Sequence, residues 1–229
     1  MELPVQVKVC GITNPGDLDS VAISGAHYAG VLVEIEGSPR SCTIRNAKPL
    51  FNERPIPMVA VVFNKSPEDI LRIVQELKPD IVQLHGEEPE ETVAQLKEQV
   101  KCEVWKVFHL PAARTVQEAD LEVLLERMKK YCASWVDKVL VDASVKAKGV
   151  MHYGGTGRTV DWNAARWLRE RCPCPFILAG GLNPDNVADA IQEVQPYGID
   201  LSSGVELHPG KKDLQKLKHL FDHLHAGEW

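Results

Sequence analysis

The chain has 229 residues, 44% of them hydrophobic and 25% charged, with a formal net charge of -6 and a sequence pI of about 5.8. An acidic balance of this kind argues against a nucleic-acid partner, which needs a basic face, while leaving room for a local anion site. No apolar run approaches the roughly 20 residues of a membrane span, and the start has no charged leader followed by an apolar core. A cytoplasmic enzyme without a membrane partner is the expectation.

Taken in chain order, short apolar runs recur at Val5 to Val9, Tyr28 to Val33, Met58 to Phe63, Asp80 to Leu84, Glu103 to Val107, Lys138 to Val141, Phe176 to Ala179 and Gly198 to Leu201. Each is followed by a helix-like stretch. Asn14 and Pro15 open a helix that reaches Ser24 and stops at Gly25, because an Asn cap, a proline in the first turn and a terminal glycine are matched start and stop signals. Ser66-Pro67-Glu68-Asp69 repeats the device, and Ile70, Leu71, Val74 and Leu77 then fall on one helical stripe. Asn183-Pro184-Asp185 opens another helix after the seventh run. Eight such units predict an α/β fold, a (β/α)8 TIM barrel, with residues 1–229 as a single domain; the architecture needs about 250 residues and tolerates roughly 200.

The six cysteines are Cys10, Cys42, Cys102, Cys132, Cys172 and Cys174. A chain of this length builds a core without disulfides, so reduced thiols are expected. Cys172-Pro-Cys174 lacks the second half of a zinc-ligand pattern, and no metal is expected.

Polar groups and glycines stand just past the ends of the runs: Cys10, the loop to Arg40, Asn64, His85, His109, Asp142, Gly180-Gly181 and Ser202-Ser203-Gly204. In a barrel of this type those ends form the active face. Lys8 and Cys10 share a strand face by alternation, and an ammonium beside the sulfur favours thiolate, making Cys10 a candidate base or nucleophile. A small buried hydrophobe is the other reading. Asp142 ends an apolar strand, where partial desolvation raises a carboxyl toward proton donation; a cap is its alternative reading. The glycine-bearing ends after runs seven and eight are where this architecture binds phosphate. Strand eight closes against strand one, so alternation also turns Asp200 and Lys8 inward as a buried pair beneath the site.

The segments KVCGIT, SPR, QLHGEE, VLVDAS, YGGTGRTVDW, LAGGLNPDNV and GIDLSSGVELHPGKKD, in this order from residue 6 to about residue 220, resemble phosphoribosylanthranilate isomerase of tryptophan biosynthesis. The resemblance implies an Amadori rearrangement of N-(5-phosphoribosyl)anthranilate without a cofactor, in a monomer or homodimer whose partner is the small phosphoribosyl substrate. It makes Cys10 the general base and Asp142 the general acid. It puts Arg40 on the anthranilate carboxylate, for which a guanidinium fork is well shaped. Gly180, Gly181, Ser203 and Gly204 would line the phosphate, and His85 would bind substrate or support the mouth.

Two departures stand out. The family's GF-x-F pattern after strand two is replaced by Gly30-Val31-Leu32-Val33-Glu34-Ile35-Glu36, so two carboxylates precede Arg40 and the anthranilate end is expected to be lined differently. Residues 143–152 are about five residues longer than the usual connection, as a loop estimate, and are expected to form a lid with Lys146 and Lys148 facing substrate anions or water. A related isomerase of another amino-sugar phosphate, and a non-catalytic phosphate-binding barrel, are the competing readings.

Overall fold

The computed structural model describes residues 3, 5–111, 116–133, 135–147, 150–153 and 159–227, the side chains of 144–147 and 150–153 excepted. Eight parallel strands make a ring: Gln6–Cys10, Tyr28–Val33, Met58–Val62, Ile81–Leu84, Glu103–Pro111, Lys138–Ala147, Phe176–Leu178 and Gly198–Leu201. The first strand pairs with both the second and the eighth, which closes the barrel. The helices are α1 Pro15–Ser24, α2 Ile44–Asn52, α3 Pro67–Leu77, α4 Glu90–Gln99, α5 Glu118–Cys132, α6 Trp162–Arg171, α7 Val187–Val194 and α8 Leu214–Ala226.

Both strand faces are buried, which is why the runs read as continuous rather than alternating. In Met58–Val62 all five residues are buried; Met58, Ala60 and Val62 join the layer beneath the helices, while Val59 and Val61 turn into the barrel. Trp105, fully buried, Val107, Leu140 and Ile177 fill that interior with them, so the barrel is packed and substrate has room only at its mouth.

Local capping follows the sequence in two of the three Ser/Asn-Pro starts. The Asn14 side chain accepts from the Asp17 N–H, and the Ser66 side chain from the Asp69 N–H. Gly25 ends α1 in the left-handed region, at φ 102°. The third start differs. Asn183 accepts the Asp185 N–H on its side chain in a turn, and α7 begins only at Val187. The turn satisfies the backbone that an earlier helix start would otherwise have used.

The expected lid is a β-hairpin. Strand six continues past Val141 to Ala147 and pairs antiparallel with Val150–Tyr153, Ser144 opposite Tyr153 and Ala147 opposite Val150. Strand five runs on beside it to Pro111, with Pro111 opposite Ser144. Lys148 and the Lys146 side chain, expected near substrate or water, lie outside the described residues.

Candidate active site

A cavity opens at the carboxyl ends of the strands, and Cys10, Arg40, His85, Asp142, Gly180, Gly181 and Ser203 all line it. Its floor is ionic. Lys8 and Asp200 are register neighbours on strands one and eight, and their side chains meet at 2.7 Å with 1% and 9% exposure. Burial pulls the Lys8 ammonium down, but Asp200 and Cys10 more than offset it and its pKa stands above the ordinary value. The second carboxylate oxygen of Asp200, Oδ1, is buried without a hydrogen bond, and Asp200 reaches the cavity wall.

Cys10 sits one layer above Lys8, 7% exposed. A glycine makes this possible. Gly30 pairs with Cys10, and a Cβ there would lie 2.9 Å from the Cys10 sulfur and 3.1 Å from Lys8 Cε. The expected depression of the thiol is reversed. Burial pushes its pKa up, and Lys8 and Lys212 recover only part of the difference, because a thiolate loses more hydration in the barrel than two nearby ammonium groups return.

Asp142 faces the cavity from strand six, 6% exposed. Burial raises its pKa to about 7, against the opposing pull of the Ala143 N–H, which donates to Oδ1 at 2.7 Å. Beside it the Gln83 amide donates to His85 Nδ1 at 3.3 Å, which leaves the His85 proton on Nε2, 3.5 Å from Asp142 Oδ2. His109 Nε2 donates to the His85 carbonyl at 2.9 Å. Burial first, then His109, Lys8 and Lys106, hold His85 well below its ordinary pKa, so a neutral imidazole stands beside the acid. Among the described residues His85, His109 and Asp142 are the group whose donor atoms, within 4.8 Å of one another, have the spacing to hold a metal ion.

Arg40 reaches the mouth from the loop after strand two. Its Nε donates to both Glu206 oxygens at 3.0 and 3.1 Å and its Nη2 to Oε2 at 2.7 Å. Glu206 thus fixes one edge of the fork, and the Nη1 side is left for a ligand. Lys212, buried, ties the same carboxylate at 3.0 Å to the Cys10 carbonyl at 2.6 Å. The two acidic residues before Arg40 do not line the cavity: Glu34 pairs with Arg72 at 2.8 Å and Glu36 is exposed. Leu32, Ile35 and Phe63 line that end, giving it an apolar wall fit for a ring.

At the opposite side Gly180 and Gly181 have φ of 89° and 65°. A Cβ on Gly180 would stand 2.8 Å from the Ala143 nitrogen and 3.1 Å from Asp142 Oδ1, so this glycine lets strand seven's end approach the acid. Gly204 is outside the lining; it packs against Leu182, whose carbonyl oxygen a Cβ would meet at 1.9 Å. Sequence reasoning missed Gly30, Gln83, Glu206 and Lys212. A glycine inside a strand was a usable sign of close approach, whereas nothing in the spacing of Glu206 pointed to Arg40.

The family described as N-(5'-phosphoribosyl)anthranilate isomerase matches residues 7–223. The isomerase of that name from Methanocaldococcus jannaschii is 36% identical over 221 residues, 93% of each chain, and that of a Synechococcus strain 37% identical, covering 97% of this chain and 91% of the relative. A Thermotoga maritima structure, of monomers generated from a dimeric phosphoribosylanthranilate isomerase, is 34% identical with a TM-score of 0.79, covering 97% of this chain and 99% of that one. A structure of the isomerase in complex with reduced 1-(o-carboxyphenylamino)-1-deoxyribulose 5-phosphate is 32% identical, with a TM-score of 0.78 and the same coverage. A closed eight-stranded barrel carrying a buried acid and a thiol at its mouth, matched over nearly its whole length, belongs to the family of N-(5'-phosphoribosyl)anthranilate isomerases.

Proposed function

We propose that this barrel, acting as one domain, isomerises N-(5'-phosphoribosyl)anthranilate with Asp142 as general acid and Cys10 as general base. The observation that carries the assignment is that the two groups line one cavity, with Asp142 holding its proton up to about pH 7. Asp142 protonates the furanose oxygen, the ring opens to an iminium, and Cys10 thiolate removes the acidified proton from the second carbon of the sugar. The resulting enolamine tautomerises to the ketone. Each proton transfer contributes about 10²- to 10⁴-fold. The free side of the Arg40 fork takes the anthranilate carboxylate, Leu32 and Ile35 flank the ring, and the backbone at Gly180, Gly181 and Ser203 meets the phosphate, with Gly204 packed behind them against Leu182. The neutral His85 orients the acid without competing for its proton.

The pH dependence tests the assignment. The productive form has a protonated Asp142 and an ionised Cys10. Below about pH 7 the carboxyl is protonated and thiolate grows with pH, so kcat/KM rises. Between the two pKa values the loss of one form offsets the gain of the other. Above the Cys10 value the thiolate is saturated and the acid disappears, so kcat/KM falls. The expected profile is therefore a plateau bounded near pH 7 and above the ordinary thiol range. A profile already falling at pH 7 would contradict these roles.

A further inference from the structure

Among the described residues, a second concentration of reactive groups lies at the start of strand seven, away from the cavity. Cys132 is the last residue of α5, Cys172 caps the end of α6, and Cys174 stands just before strand seven. Cys172-Pro-Cys174 alone was an incomplete pattern; the fold brings a third thiol to it. The Cys132 and Cys172 sulfurs are 3.9 Å apart across 40 residues of sequence, and the Cys174 thiol donates to the Val136 carbonyl at 3.8 Å. All three are free and half-buried, so a small oxidant can reach them while the surrounding helices hold them together. No part of the isomerisation uses them.

We propose that Cys132, Cys172 and Cys174 form a peroxide-responsive thiol site in which Cys132 and Cys172 join as a reversible disulfide that staples α5 to the end of α6. The contact with Cys132 favours thiolate at Cys172, which suits Cys172 to attack and Cys132 to resolve, since the thiolate is the nucleophile. Cys172 thiolate attacks one oxygen of hydrogen peroxide, the O–O bond breaks, and a sulfenic acid and hydroxide form. The Cys132 sulfur then displaces hydroxide from that sulfenic acid and gives up its proton. Two thiols and one peroxide become one disulfide and two waters, the sulfurs losing two electrons and the peroxide gaining them. Cys174 thiolate can attack Cys132 and pass the bond on, releasing Cys172. The contact of 3.9 Å shortens to about 2.05 Å as the bond forms.

The test is stoichiometric peroxide on the folded chain, followed by alkylation and peptide mapping without reduction. The expected result is a peptide carrying Cys132 cross-linked within one chain to the peptide carrying Cys172 and Cys174, and a rise in Tm of roughly 5–10 °C. Dithiothreitol reverses both, and Cys132→Ser, which retains isomerase turnover under reducing conditions, shows neither. The three thiols recovered unlinked, a Cys172–Cys174 bond, or cross-links between chains only would overturn the proposal.

Discussion

A carboxyl held at about pKa 7 is a cost to the fold. Asp142 ionises near 4 when unfolded, so between roughly pH 4 and 7 the native state binds a proton that the unfolded chain releases, and stability falls as pH rises through that window. A shift of three units corresponds to about 4 kcal/mol. Asp142→Asn is therefore expected to remove turnover yet to stabilise the protein by a few kcal/mol at pH 8 and by little at pH 4, read from urea denaturation at the two values. Equal effects at both would mean that the carboxyl is not the strained group. Glu206 acts on the binding end. With Glu206→Gln the Arg40 fork loses its aim and Lys212 its buried partner, so KM is expected to rise about tenfold with a smaller change in kcat, and stability to fall by about 3 kcal/mol. An unchanged KM would remove Arg40 positioning from the account.

At the scale of elements, glycines set how closely the strands bring their groups together. Gly30→Ala places a methyl between strand two and the Cys10–Lys8 stack, and Gly180→Ala adds a side chain at φ 89° against Asp142 and Ala143. Each is expected to lower kcat/KM by tenfold or more, with Gly180→Ala also costing about 1–3 kcal/mol of backbone strain. Unaltered kinetics with either variant would show that the approach is not needed. Strands and capped helices were legible because their signals are local: the Asn14 and Ser66 caps and the continuous runs of Val, Ile and Leu need no tertiary information. The hairpin after Asp142 was not, since whether Ser144 to Ala147 pairs or loops depends on Val150–Tyr153 returning against it. The start of α7 moved for a similar reason, a side-chain turn at Asn183 winning over helix.

For the whole molecule, ring closure converts sequence alternation into chemistry. Lys8 and Asp200 are separated by almost the full chain, and their 2.7 Å contact was readable only because strands one and eight must meet. The same closure sets Cys10 across the mouth from Asp142. The thiol's pKa could not be read that way, because its sign depends on how completely the barrel excludes water around it, and burial there outweighs two lysines. The cysteine trio belongs to this scale too: Cys132 reaches Cys172 through the packing of α5 beside α6 at the base of the barrel.

The most direct measurement follows the fluorescence of freshly prepared phosphoribosylanthranilate as the purified chain consumes it, alongside Cys10→Ala and Asp142→Ala. Enzymatic loss with the wild type and a fall of at least about a hundredfold in kcat/KM for each variant is the expected result. A well-folded wild type that leaves the substrate untouched, or variants that retain full turnover, would contradict the acid–base pair at the centre of the account.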